Sequence, residues 1–265
     1  MRIACSSASF SREIPARLSL THFPAWCGSQ GISAIEIDER QLPSLEPDYF
    51  TELLRACDHA DVKIAALALH NDFTIADSDE HFRQVERVRR LLYDVAKPLN
   101  APLVRVFLGM ADLTVAGEER ALETFRGLVP DLEATGITMA VENHARAQTP
   151  SDRMAAIIAG VPTPLFGACV DLGSLPADRR DIYLQHLAPL AKYVHARGAA
   201  FNLDGEELYI DYKRALAYLA EYGYDDDITI LYEGANDQYN GVLNTKALIE
   251  KYWYHLAAGA GEMAA

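Results

Sequence analysis

The sequence predicts an α/β protein built as one closed (β/α)8, or TIM, barrel over residues 1–265, and three observations carry that expectation. Short apolar or β-branched runs alternate with longer amphipathic segments, the order of repeated βα units around a parallel sheet. Eight such runs are present, and they start at intervals of roughly thirty residues, the length of a strand, a helix and two loops. No linker or break in composition divides the chain, and the GxGxxG fingerprint of an open doubly wound sheet is missing after the first run.

The strands are expected at RIACSS from Arg2, AIEID from Ala34, KIAALAL from Lys63, LVRVFLG from Leu103, TMAVEN from Thr138, FGACVDL from Phe166, KYVHARG from Lys192 and ITILYEG from Ile228. Amphipathic periodicity predicts helices in DYFTELLRACDHA, in SDEHFRQVERVRRLLYDVAKPL, opening on Ser78 with Pro98 near its end, and in EERALETFRGLVPDLEATG. Two more follow the seventh and eighth strands, DYKRALAYLAEYG and NTKALIEKYWYHL. The first and sixth helices are poorly marked, because Pro24 and Gly28 interrupt one and Pro176 and Pro189 bracket the other. The tail from Gly259 is expected to fray.

Half of the residues are hydrophobic, enough for a substantial core. A net charge of -14 works against nucleic acid and anionic membrane surfaces as partners. The four cysteines form no CxxC pair, and Cys5, Cys57 and Cys169 read as small hydrophobes in a reduced protein. The start, MRIACSSASFSREIP, has no continuous apolar stretch of the signal-peptide kind, and no run is long enough to span a bilayer, so a cytoplasmic protein is expected. Homo-oligomerisation through helices on the barrel's rim is open, with nothing in the sequence demanding it.

A parallel barrel delivers the last residues of every strand to one face. The fifth strand runs out in Glu142, Asn143 and His144, the sixth in Asp171, the seventh carries His195 and the eighth leads to Glu233. Three carboxylates and an imidazole gathered without a counter-charge would repel strongly, and a divalent cation is the simplest neutraliser. Glu142, Asp171, His195 and Glu233 therefore read as ligands to one Mn²⁺, Mg²⁺, Co²⁺ or Zn²⁺, with positions left open for substrate oxygens.

On these residues the chain resembles the xylose-isomerase-like barrels, a family of sugar epimerases, ketose isomerases and related lyases, along essentially its whole length. The resemblance implies that the quartet holds one divalent metal ion, manganese first. It also implies that Glu142 and Glu233 flank the sugar carbon as catalytic acid and base. It extends to substrate-binding roles for Glu36 in AIEID, for His70, which otherwise reads as a satisfied structural histidine, and for Arg197, which otherwise reads as a solvated or ion-paired arginine. One departure stands out: many of the family's epimerases have a histidine three residues after the sixth-strand aspartate, where this chain has Ser174.

A carbonyl and a neighbouring hydroxyl chelated together make the adjacent C–H acidic, and a carboxylate within reach can remove the proton to give a metal-stabilised enediolate. Two such groups permit epimerisation; return of the proton to the neighbouring carbon gives isomerisation, and loss of a β-hydroxyl gives dehydration. The expected activity is therefore a sugar epimerase or isomerase, with a carbohydrate or keto-cyclitol dehydratase as the alternative. The loops RGAAFNLDGEE and GANDQYNG are acidic and lack lysine, which favours an unphosphorylated sugar or keto-cyclitol over a sugar phosphate. Phe10, Phe73, Phe107 and Phe201 are candidates for an apolar wall, and the segment from Ala199 to Ile210 for a lid. An apurinic-site endonuclease of the same fold is disfavoured, since Gly109, Ser174 and the Asn202–Asp204 stretch stand where its additional metal ligands would be. A barrel that binds sugars or partners without catalysis is the third possibility.

Overall fold

In the computed structural model, which describes residues 1–109, 114–144 and 149–262, eight strands hydrogen-bond in sequence order and close into a barrel. They are β1 (Ile3–Ser6), β2 (Ala34–Asp38), β3 (Lys63–Ala68), β4 (Leu103–Phe107), β5 (Thr138–Glu142), β6 (Phe166–Asp171), β7 (Ala191–Gly198) and β8 (Ile228–Tyr232), and every neighbouring pair is parallel. All eight lie where the sequence predicts them, because strands covered on both faces read as near-continuous apolar runs.

Among the described residues, eight α-helices follow the strands: α1 (Phe23–Ser29), α2 (Pro47–His59), α3 (Ser78–Leu91), α4 (Val115–Thr135), α5 (Ser151–Ala159), α6 (Arg180–Leu187), α7 (Tyr212–Glu221) and α8 (Gln238–Glu262). Ser78 is the first residue of α3 and Asp77 its cap, accepting from the Glu80 N–H. Gly136 ends α4 in the left-handed conformation, its N–H returning to the Leu132 carbonyl. The short α5, unmarked in the sequence, buries Met154, Ile157 and Ile158. Helix α8 runs through Glu262, past the predicted fraying point at Gly259; residues 263–265 lie outside the described part. No described helix is long and apolar enough to cross a membrane.

Period-two alternation divides each strand between two cores. Outward residues such as Cys5, Ile35, Val104, Val141 and Val170 join the large cluster between sheet and helices. Inward ones form a small layer of Ala4, Ala34, Ala65, Ala66, Leu103, Ala140, Cys169 and Tyr193 in the lumen. Above that layer, the same alternation delivers polar side chains to the C-terminal mouth.

Candidate active site

At the mouth the inward residues are charged. Glu142 ends β5, Asp171 ends β6, His195 and Arg197 occupy alternate positions of β7, and Glu233 follows β8. Facing them from the other half of the barrel are Glu36 and Asp38 on β2 and Arg105 on β4. Glu36, Glu142, Asp171, His195 and Arg105 are all buried, whereas the Glu233 side chain is 52% exposed.

Arg105 supplies a counter-charge that the sequence reading did not include. Its Nε lies 3.0 Å from Glu142 Oε2 with both side chains below a tenth exposed, Nη1 donates to the Leu69 carbonyl at 2.9 Å, and the guanidinium sits 4.3 Å above the Phe107 ring. Burial pushes the Glu142 carboxyl up and Asp171 adds to it; Arg105, His195 and Arg197 pull it down, leaving it at about 7. A carboxyl near neutrality both accepts and releases protons at physiological pH.

His195 is fixed from behind. Its Nε2 is 2.9 Å from Glu36 Oε2, a contact across the barrel lumen, which leaves Nδ1 buried, without a hydrogen-bond partner, and 3.7 Å from Glu142 Oε2. Burial works against the imidazolium, but Cys169 and Glu36 outweigh it and raise the histidine's pKa. Glu36 is held low, because His195 and Arg105 overcome the burial that would raise it. Glu36 is thus a carboxylate directed at His195 rather than at the mouth.

Arg197, expected as a substrate contact or else as a solvated or ion-paired arginine, supplies a second counter-charge. It binds Asp171 through Nη2 and through Nε at 3.1 Å from both carboxylate oxygens, binds Glu233 through Nη1, and keeps Nη2 3.9 Å from Glu142 Oε1. Asp171 also accepts from Gly173 N at 2.8 Å and Ser174 Oγ at 3.0 Å, so the serine at the departure position steadies this carboxylate. Burial would raise the Asp171 carboxyl, yet Arg197 holds it below the ordinary carboxylate range. Glycine is required at 173, since a Cβ there would stand 2.2 Å from Arg197 Cδ.

The remaining predicted residues are distributed around this centre. His70 pairs with Asp38 through Nε2 at 3.1 Å, and its ring meets Phe107 edge-on at 5.6 Å; Phe107 in turn meets His144 at 4.8 Å. Phe10 and Phe73 are fully buried, Phe10 against Phe23, Trp26 and Tyr239 and Phe73 against Phe125, so they pack the core rather than wall the mouth. Phe201 stacks on Tyr232. The 199–210 segment is a small hairpin bridged at Phe201 and Glu207, and the buried Glu207 carboxylate accepts from the N–H groups of Ala199, Ala200, Tyr209 and Ile210. Two cavities open at the mouth. Glu142 lines one of about 380 Å³ with Asn143, Thr149, Ser174 and Arg179, and Glu233 lines another of about 600 Å³ with Asp38, Arg12 and Arg40.

The donor chemistry suits a divalent cation. An oriented imidazole with a buried, unpartnered nitrogen beside a carboxylate is what a metal ligand pair requires, and a metal at Nδ1 would displace the proton there. Among the described residues, Glu142, Cys169 and His195 bring one donor atom each to within 4.8 Å of one another. Asp171 and Glu233, the other two members of the predicted quartet, are turned to Arg197. The sequence reading passed over Arg105 and Cys169 as site residues; the signal that places them on the lumen side is alternation, the first standing two residues before Phe107 and the second two before Asp171.

The chain belongs to the xylose isomerase-like TIM barrel family, whose pattern it matches over residues 24–253. Among solved structures it is similar to an L-ribulose 3-epimerase (TM-score 0.82, 16% identity, covering 100% of this chain and 98% of that one). It is similar also to the D-psicose 3-epimerase of Clostridium cellulolyticum H10, solved with D-tagatose (0.77, 15%, 97% and 99%). A third likeness is to the 3-keto-D-glucoside 4-epimerase of E. coli (0.74, 14%, 95% and 99%). At such identities the likeness is one of fold. No curated protein matches by sequence.

Proposed function

We propose that this protein is a divalent-metal-dependent sugar epimerase or isomerase that moves a proton α to a carbonyl. The observation that carries the reading is the meeting of Glu142, a buried carboxyl with its pKa near neutrality, with the unpartnered Nδ1 of His195 at the barrel's mouth. The named activities of the similar structures, epimerisation of ketoses and of a keto-glucoside, support a keto sugar as substrate. Glu142, Asp171, His195 and Glu233 would hold the ion, Asp171 and Glu233 being the two that now pair with Arg197; manganese is the ion that the family resemblance favours. Bound there, it would supply Lewis acidity to a carbonyl and its neighbouring hydroxyl.

The chain's own residues account for the rest. Glu142 takes the proton, burial raising its carboxyl and the neighbouring Arg105 pulling it back down. Glu233 stands on the other side of the Arg197 guanidinium and can return a proton from there, which makes inversion at one carbon possible. Arg197 offers N–H donors to the oxygen on which charge develops. Asn143, Thr149 and Ser174 in the adjoining cavity present hydrogen-bonding groups of the kind that sugar hydroxyls use. Glu36 acts through His195, fixing the ring, and His70 is a candidate substrate contact from the β3 side.

The reading is tested by incubating the purified protein and Mn²⁺, Co²⁺ or Zn²⁺ with a panel of ketopentoses, ketohexoses and keto-cyclitols and identifying products by NMR. An epimer or aldose–ketose isomer supports it. An unsaturated product would replace it with the lyase, and no turnover of any member would leave a binding protein.

A further inference from the structure

We propose that the cavity beside Glu142 is a second subsite that seats a sugar ring joined to the reacting one, so that the substrate is an uncharged keto-glycoside of two rings rather than a free ketose. The inference rests on the reading of Glu142 and Glu233 as the proton-transferring pair, and it names the size and class of what they act on.

The space at the mouth is divided. Glu142 borders the cavity of about 380 Å³ and Glu233 the one of about 600 Å³, with Arg197, which approaches both carboxylates, between them. Each falls within the ~300–1,000 Å³ of a complete small-molecule site, and one sugar ring cannot fill both. Ser174 stands where the smaller cavity meets the reacting centre, its Oγ turned back onto Asp171 at 3.0 Å, and a side chain that short takes up little of the opening.

The walls of the smaller cavity have the chemistry of a sugar subsite. Leu108, Met154, Leu175 and Tyr183, all buried, give it an apolar side, and Thr149, Ser174 and Arg179 a polar one. A pyranose divides in the same way, into apolar C–H faces and a rim of hydroxyls. The Thr149 hydroxyl has no hydrogen-bond partner in the protein. Among the described residues the Arg179 guanidinium makes one ion pair, through Nε to the exposed Asp178 at 3.7 Å, so its Nη donors remain for a ligand at the rim. The arginines elsewhere at the mouth are engaged: Arg105 and Arg197 by carboxylates, Arg40 by Asp38, and Arg12 by the Ala235 and Asn236 carbonyls. The wall is also fixed in place, since the Tyr183 hydroxyl donates to the Thr149 carbonyl at 3.3 Å and Ser151 Oγ lies 2.9 Å from His186 Nδ1, tying α6 to the start of α5. Glu142 and Arg179 balance each other in the lining, which suits an uncharged ring; an anionic group would meet the chain's net charge of -14 as well.

The test uses the full chain with Mn²⁺ and sets disaccharides carrying a ketone on one ring, at C2, C3 or C4, against the methyl glycosides of the same keto rings. For the pair that turns over, kcat/KM is expected to be at least ~10-fold higher for the two-ring member, the discrimination that even one well-seated methylene gives. Arg179→Ala, which removes the rim donors, and Met154→Trp, which narrows the cavity, are expected to bring that ratio toward one. The Arg179 side chain is exposed, so its variant decides alone if Met154→Trp fails to fold. Equal values for the pair, turnover of free ketoses only, or a ratio that the variants leave unmoved would overturn the second subsite while leaving the epimerase or isomerase reading in place. Turnover of no keto sugar at all would overturn both.

Discussion

Replacing Arg105 with methionine removes the positive charge that stands nearest Glu142 while keeping most of its volume. The pair stands at 3.0 Å with side chains 7% and 2% exposed, so water cannot substitute for the lost partner. Breaking such a pair costs about 3–5 kcal/mol, because a buried charge is left uncompensated. The Leu69 carbonyl loses its donor as well, a further penalty of about 1–3 kcal/mol if nothing else reaches it. Glu142 can limit the damage by taking up a proton, and since it titrates at about 7 the loss should be larger at alkaline than at mildly acidic pH. Guanidinium unfolding of the metal-free protein, followed by circular dichroism, measures it; about 3–5 kcal/mol corresponds to a drop of roughly 6–20 °C in Tm for a chain of this size. Arg105→Met combined with Glu142→Gln should recover most of the loss, since replacing both charges together is often neutral. A single-variant cost below about 1 kcal/mol at alkaline pH, or a double variant no more stable than the single, would refute the reasoning.

Two further outcomes follow from the charges behind the site. Glu36→Gln keeps the shape of the side chain but removes the charge that orients His195 through Nε2, so calorimetric titration should show divalent-ion affinity reduced ~10–100-fold; unchanged affinity would remove Glu36 from the site's support. Burial would raise the Asp38 carboxyl, but hydrogen bonds from His70 and Arg40 hold it below its ordinary 3.8. A carboxyl with a lower pKa folded than unfolded stabilises the fold above the unfolded value, and that contribution is lost as the pH falls below about 4. Asp38→Asn should therefore be less stable at neutral pH and show a shallower acid limb in urea unfolding; an unaltered acid limb would contradict the pairing.

The barrel was legible because buried parallel strands leave continuous apolar runs at regular spacing, and eight of them without an interruption leave one closed arrangement. Glu142, Asp171, His195 and Glu233 were legible as polar residues at the ends of such runs. Their partners were not. Which carboxylate Arg197 holds depends on how side chains cross from β7 to β6 and to the residue after β8, and spacing along one strand says nothing of that. The contact of Glu36 with His195 joins residues 159 positions apart across the lumen. Arg105 was hidden inside LVRVF, an apolar strand by composition, although a buried arginine there demanded an anion. Cys169 read as a small hydrophobe, which describes its alanine neighbours but not Glu142 on the adjacent strand. Phe10 and Phe73 sit near strand ends like Phe107, and only the packing of α1, α4 and α8 separates core rings from those at the mouth.

The most direct measurement is exchange of the carbon-bound hydrogen next to the carbonyl of a ketose substrate, followed in deuterated water with a saturating divalent ion. The account predicts deuterium at that carbon with the wild-type protein, none after chelation of the ion, and a loss of about 10²–10⁴-fold in Glu142→Gln. Exchange that survives chelation, or that proceeds undiminished without the Glu142 carboxylate, would contradict it.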